Sequence, residues 1–149
     1  MTRKEKELLA KDLSGRLDYE PYIKIEGCAN GCSNVFLTGI YYDYEDYGAK
    51  NYYVNNGYDI SRVKPYLFPL SSMTEKLIHE FYCMFIENDI SFEDFVADYW
   101  NTNSFHKLLT SIDDCVGVVE WFNENHCDYR GLIEKGLAID ATNLNIYYQ

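Results

Sequence analysis

The sequence predicts an α+β fold, with a small, strongly curved antiparallel sheet in the N-terminal half packed against a helical C-terminal half. Three observations predict it. Short runs between residues 20 and 62 are rich in Tyr, Val and Ile, alternate in polarity, and are separated by Gly and Asn clusters, as in half-buried strands. Residues 74–122 instead repeat apolar side chains at spacings of three and four, as in helices with one buried face. Between them Pro65 and Pro69 stand four apart, which reads as an extended connector lying on apolar surface. With 149 residues, 47% of them hydrophobic, a single domain is expected, residues 1–70 forming a helix plus the β half and residues 71–149 an acidic helical half.

Taken in order, residues 3–14 read as a short helix with Leu8, Leu9 and Leu13 inward, ended near Gly15. Ile23 and Ile25 alternate with Lys24 and Glu26 in a first strand, and Val35 to Tyr42 supplies a second. Tyr52 to Val54 is a third, Asn55-Asn56-Gly57 turns the chain, and Tyr58 to Ile60 returns it. Past the prolines, Ser72 and Glu75 stand at capping-box spacing and introduce a helix over about 74–87 that carries Leu77, Ile78, Phe81, Tyr82, Phe85 and Ile86. Ser91 caps a second helix with Phe92, Phe95, Val96, Tyr99 and Trp100 on one face and Glu93, Asp94 and Asp98 on the other. Phe105, Leu108, Leu109 and Ile112 give a third, and Asp113 or Asp114 starts a fourth displaying Val116, Val119 and Phe122. Asp128 caps a last turn over 129–135, closed by Gly136, before Leu137 to Ile139 extends.

Charge excludes more functions than any motif. The chain carries 13 Lys plus Arg against 24 Asp plus Glu, a net of -11, which repels phosphate backbones and anionic lipid heads. No direct binding of DNA and no membrane association are therefore expected. Residues 1–70 are nearly neutral, with nine basic and ten acidic groups, whereas residues 71–149 hold four basic and fourteen acidic ones. Such a face either keeps the protein soluble or meets a cationic partner, and cationic clefts belong to proteins that hold nucleic acid. The opening Met1 to Glu7 alternates charges where a secretory signal would be apolar, so a bacterial cytoplasm is expected. Five Cys, an odd number, then read as reduced residues rather than a disulfide framework.

Candidate chemistry is sparse. Cys28 with Cys32 and His79 with Cys83 supply four soft ligands on paper, but neither pair has the tight spacing of a zinc knuckle, so no metal is expected. His126-Cys127-Asp128 contains base, nucleophile and carboxylate, yet members of a triad meet through the fold rather than along the chain. Asp113-Asp114 and Glu93-Asp94 sit where helix N-termini favour negative charge. With no phosphate-binding glycine loop and no G-x-S-x-G elbow, neither an enzyme nor a cofactor is expected.

Binding chemistry is more visible. Seven of the fifteen tyrosines fall within residues 41–58, interleaved with Asp43, Glu45, Asp46 and Asp59. Tyr offers large contact area at small entropic cost, so this loop is composed like a binding surface, or else its tyrosines line a small β core. The candidate partner-binding residues are Tyr41, Tyr42, Asp43, Tyr44, Glu45, Asp46 and Tyr47, together with Glu93, Asp94 and Asp98.

Two stretches carry a resemblance: Lys64-Pro65-Tyr66-Leu67-Phe68-Pro69-Leu70-Ser71-Ser72-Met73-Thr74-Glu75, and residues 121–139, which contain Asp128-Tyr129-Arg130-Gly131-Leu132-Ile133-Glu134-Lys135-Gly136-Leu137-Ala138. They resemble small phage and prophage proteins of Bacteroidales and related bacteria, which are similar in order too: a short N-terminal helix, a β segment, the K-P-Y-L hinge, a variable helical middle and the D-Y-R-G-L-I-E-K segment. About a fifth of the chain carries the match. The Tyr-rich insertion at 41–58 departs from the group. The resemblance implies a mobile-element accessory protein and assigns no catalytic residue; within it, Asp128, Tyr129 and Arg130 are expected to cap and dock the last turn. Joined to the charge argument, it implies an anti-defence protein, most specifically an inhibitor of a CRISPR RNA-guided nuclease. The expected partner is a basic host protein, a nucleic-acid-binding nuclease or its ribonucleoprotein complex. A self-associating structural protein and a small metal-dependent enzyme are the alternatives.

Overall fold

The computed structural model describes residues 1–27, 34–44, 50–86, 89–109 and 112–147. Helix α1 (Arg3–Gly15) begins with a reciprocal cap: the Thr2 hydroxyl accepts from the Glu5 N–H at 3.3 Å, and the Thr2 N–H donates to the Glu5 carboxylate at 2.6 Å. These bonds to Thr2 hold the Glu5 carboxyl below its usual pKa. Leu9, Ala10 and Leu13 are buried, and Asp12 is buried with them.

The strands are β1 (Tyr22–Ile25), β2 (Asn34–Phe36), β3 (Ile40–Tyr44), β4 (Lys50–Val54), β5 (Tyr58–Asp59), β6 (Val63–Leu67) and β7 (Ile139–Asp140). They form a four-stranded sheet in the order β2-β1-β6-β7 and a three-stranded one in the order β3-β4-β5. All pairs are antiparallel except β6 with β7, which join Tyr66 to Ile139 and Leu67 to Asp140 in parallel. The N-terminal strands therefore divide between two sheets, and one of these reaches into the C-terminal half for its last strand. Asn55, at φ 48, turns the chain from β4 to β5 with Gly57 at φ 106. Its side chain also stitches the sheets together, accepting from the Thr38 N–H at 2.8 Å and donating to the Phe36 carbonyl at 2.9 Å.

The expected connector at 62–70 is instead, over Val63–Leu67, an interior strand of the larger sheet. Ladder parity explains how Pro65 is tolerated. The Glu26 N–H donates to the Arg62 carbonyl at 2.8 Å, so hydrogen-bonded pairs fall at Glu26–Arg62 and Lys24–Lys64, and Ile23–Pro65 is a non-bonded pair. The missing N–H faces away from β1, and pairing with β7 begins only at Tyr66.

Helix α2 (Glu75–Phe85) is capped by Thr74, whose hydroxyl accepts from the Leu77 N–H at 3.4 Å, and not by Ser72. Residues Leu70–Ser72 are already used in a tight 3-10 turn, in which the Ser72 hydroxyl donates to the Pro69 carbonyl at 2.8 Å. Ser91 caps α3 (Phe92–Phe95) as expected, accepting from the Asp94 N–H at 3.1 Å. The helix then widens into a π turn over Val96–Trp100, with the Asn101 N–H donating to the Val96 carbonyl at 3.0 Å. The third helical segment is a single 3-10 turn, Phe105–Leu108, and Ile112 opens α4 (Ile112–Glu124). Beyond it, Asp128 accepts from the Leu132 and Ile133 N–H groups at 2.7 and 2.8 Å. The segment it caps is a series of turns rather than a helix, because Gly131 at φ 64 and Gly136 at φ 69 leave the right-handed region.

Burial separates into two clusters. One packs α1 over the sheets through Leu9, Leu13, Ile23, Ile25, Val54, Ile60, Val63 and Leu67. The other is aromatic, built from Phe81, Phe95, Trp100, Phe105, Trp121 and Phe122. The C-terminal segment belongs to both: Cys127 and Tyr129 pack in the aromatic cluster, Leu132, Leu137 and Ala138 in the sheet cluster.

Candidate functional site

Strand β3 runs out of the core as it proceeds. Val54, the partner of Ile40, is fully buried, whereas Tyr41, Tyr42 and Tyr44 are 48%, 50% and 64% exposed. Asp43 is exposed beside them. The register pairs Tyr41 with Tyr53, Tyr42 with Tyr52, Asp43 with Asn51 and Tyr44 with Lys50. Strand alternation therefore gives the hairpin two faces, Tyr42, Tyr44, Tyr52 and Lys50 on one, Tyr41, Asp43, Asn51 and Tyr53 on the other.

Both faces are stiffened by their own rings. Tyr42 meets Tyr44 edge-on at 5.6 Å and lies tilted to Tyr52 at 6.1 Å, and Tyr41 stacks on Tyr53 at 5.5 Å. The Lys50 ammonium lies 4.2 Å from the Tyr42 ring centroid and 5.8 Å from that of Tyr44. Ring pairs contribute about 0.5–1.5 kcal/mol each and an exposed cation–π contact about 0.5–1 kcal/mol, so the hairpin keeps its shape although little of it is buried. Tyr52 and Tyr58 do pack against the sheet core, so the tyrosines divide between core lining and exposed surface. Glu45, Asp46 and Tyr47 lie outside the described residues.

Glu93, Asp94 and Asp98 are all exposed, on α3 and its π turn. Asp94 is engaged locally, its carboxylate accepting from the Ser91 hydroxyl at 2.8 Å. The acidic set and the tyrosine set rest on different supports. β3 and β4 pack on α1, whereas α3 packs on α2 in the aromatic cluster.

The two resembling stretches are joined directly. The Phe68 N–H donates to the His126 carbonyl at 2.9 Å, and the Asp128 N–H donates to the Phe68 carbonyl at 2.8 Å, a parallel bridge across Cys127. Behind this bridge lies a buried ionic group that the sequence reading missed. Arg16 donates through Nε to Asp12 at 2.7 Å and through Nη2 to the Cys127 carbonyl at 2.7 Å, and Arg130 Nε approaches Asp12 at 3.2 Å. Both guanidinium groups face the Tyr129 ring, at 5.4 and 4.8 Å. The expected docking role of residues 128–130 thus has specific partners: Asp128 caps, and Tyr129 and Arg130 meet α1. An acid and a base at i, i+4 in a helix look like a surface pair; the buried partner, Cys127, is 111 residues away.

His126, Cys127 and Asp128 engage three different partners. The His126 ring stacks on Tyr147 at 3.8 Å, the Cys127 Sγ lies 3.5 Å from the Met73 sulfur, and Asp128 accepts from backbone N–H groups. Burial, with the nearby Arg16 charge second, pushes the His126 pKa down to about 4, and burial pushes the Cys127 thiol up to about 12. His79 Nδ1 and the Cys83 Sγ lie 3.5 Å apart on the surface of α2. Among the described residues no three His, Cys, Asp or Glu are grouped as a metal ion requires, and Cys28 and Cys32 lie outside them.

Comparison of the chain with family models, with curated proteins and with solved structures yields no match. Among the described residues no helix is long and apolar enough to cross a membrane.

Proposed function

We propose that the chain is a non-enzymatic accessory protein of the phage type that binds and inhibits a basic host defence protein handling nucleic acid, most specifically a CRISPR RNA-guided nuclease. The observation that carries this reading is the row Tyr41 to Tyr44, exposed on a hairpin held by its own ring contacts, in a chain of net charge -11. Rigid side chains with apolar bodies and polar tips bind with little loss of conformational freedom. The acidic field accelerates encounter with a cationic channel and turns away bare nucleic acid. Nucleases that hold a guide and its target offer such channels. Glu93, Asp94 and Asp98 enlarge the anionic surface on the helical half, and the tyrosines supply contact at short range.

The test is affinity purification of the intact chain from a bacterial host lysate at low and high salt, with bound proteins identified and assayed for nuclease activity. The reading expects a basic, nucleic-acid-handling protein whose retention falls as salt rises and whose activity is lost in the complex. Reversal of Asp43, or of Glu93, Asp94 and Asp98 together, to Lys weakens retention by about tenfold or more. Retention indifferent to both salt and reversal refutes the electrostatic mechanism, and a retained protein that keeps full activity refutes inhibition.

A further inference from the structure

We infer that the outer edge of β3 receives an extended basic segment of the partner as an added strand, an inference that rests on the partner-binding reading above. Among the described residues β3 pairs only with β4, so its other side is a sheet edge. Ladder parity identifies what that edge offers. The Asn55 N–H donates to the Gly39 carbonyl at 2.8 Å, which makes Tyr41–Tyr53 and Asp43–Asn51 the hydrogen-bonded pairs of the hairpin. The N–H and carbonyl groups of Ile40, Tyr42 and Tyr44 therefore point away from β4, a row of donors and acceptors at the spacing that strand addition uses.

Side chains choose the occupant. Residues of an added strand opposite Tyr42 and Tyr44 share the face of those rings. The chain's own Lys50 shows what such a position favours, since its ammonium sits 4.2 Å over Tyr42. Lys50 reaches the rings from β4 and leaves their β3 side to the newcomer. On the opposite face Asp43 presents a carboxylate next to the exposed Tyr41. A segment with Lys or Arg at alternate positions sets those cations along the Tyr42 and Tyr44 rings, and its intervening side chains, hydroxyl or basic, face Asp43, while a second copy of this chain brings its own charge of -11 and is repelled. Edge strands in proteins that avoid such pairing carry charges, above all Lys, or Pro or bulges; β3 has no Lys, Pro or bulge, and its one charge, Asp43, has the sign that favours a basic segment.

The experiment titrates the intact, isotope-labelled protein with a short capped peptide of alternating Lys and Thr, read by amide NMR. Amide shifts centred on Ile40, Tyr42 and Tyr44 are expected. The same peptide N-methylated at alternate residues, which removes its strand hydrogen bonds without touching the protein, binds about tenfold more weakly. The double substitution Tyr42→Leu with Tyr44→Leu keeps the apolar bulk, removes the phenol rings, and weakens binding by about fivefold. Equal affinity of the methylated peptide, shifts centred on Glu93 to Asp98, or unchanged binding by the double variant overturns the inference. A host protein retained equally by wild type and the double variant overturns it too, and leaves standing only the electrostatic part of the partner-binding reading, which the charge reversals test. If the wild type retains nothing, that reading falls, and the peptide titration still decides the edge.

Discussion

Arg16 Nε lies 2.7 Å from Asp12 Oδ2, one helical turn away, and both side chains are fully withdrawn from water. Removing one member of such a pair strands the other charge. Asp12→Ala leaves two guanidinium groups, from Arg16 and Arg130, around a site without an anion, and is expected to cost about 3–5 kcal/mol. Asp12→Leu with Arg16→Met removes both buried charges and should return most of that loss. Urea denaturation of the two variants checks the order; equal loss in both contradicts the account.

Asp128 holds two backbone N–H groups with one carboxylate. Asp128→Ala is expected to destabilise the protein by about 2–4 kcal/mol, since hydrogen bonds to a charged acceptor contribute about 1.5–3 kcal/mol each and the loss is shared with solvent. Hydrogen exchange at the Leu132 and Ile133 amides should accelerate far more than at Ile23 or Val63. Uniform acceleration throughout the sheet would contradict a local role.

His126 makes stability depend on pH. The unfolded imidazole takes up its proton near 6.5, the folded one only near 4, so the unfolded state binds more protons in between. Stability therefore falls as pH is lowered from 6.5 to 4, by at most about 3 kcal/mol, with no contribution above that window and no further change below it. His126→Asn tolerates the local φ of 52 and removes the titration, so its stability-against-pH curve should be flatter there. A variant curve parallel to the wild type would assign the slope to other groups.

Phe81 is fully buried, and its ring lies within about 6 Å of those of Phe85, Phe95, Trp100, Phe105, Trp121 and Phe122. Phe81→Ala is expected to cost about 3–5 kcal/mol and Phe81→Leu much less. By contrast Tyr44→Ser, at a position 64% exposed, should shift stability by less than about 0.5–1 kcal/mol while weakening partner binding. Chemical denaturation of the three variants separates core from surface.

Thiol reactivity should follow burial. Cys83 and Cys115 are exposed, while the Cys127 thiol is pushed up to about 12. Alkylation at about pH 8, mapped by peptide mass, is expected to modify the first two well before Cys127. Early modification of Cys127 in the folded protein would show that the Phe68 bridge opens readily.

Local signals were readable from the sequence where neighbours in the chain decide the outcome. Ser91 caps its helix, Asn55 and Gly57 turn the hairpin, and Asp128 caps the last turns, because each acts on backbone a few residues away. The apolar stripes of α2 and of α3 with its π turn likewise place Phe81, Phe95 and Trp100 inward. What the sequence concealed depends on partners far along the chain. Pro65 is admitted to an interior strand only by the register with β1, and Asp12 with Arg16 is a surface pair until residues 127–130 cover it. At the candidate site, composition pointed to Tyr41, Tyr42 and Tyr44, but their exposure and the edge position of β3 depend on how the strands divide between two sheets.

The parallel pairing of β6 with β7 ties residues 66–67 to residues 139–140, and this sets a timetable for biosynthesis. While the ribosome is still adding the helical segments, the flank of Tyr66 and Leu67 waits without its neighbour, and Arg16 waits for the carbonyl of Cys127. The sheet is sealed only after Asp140 has left the exit tunnel, so a nascent chain stalled before that point carries an open strand flank and a bare ionic pair, the form most prone to association and to proteolysis.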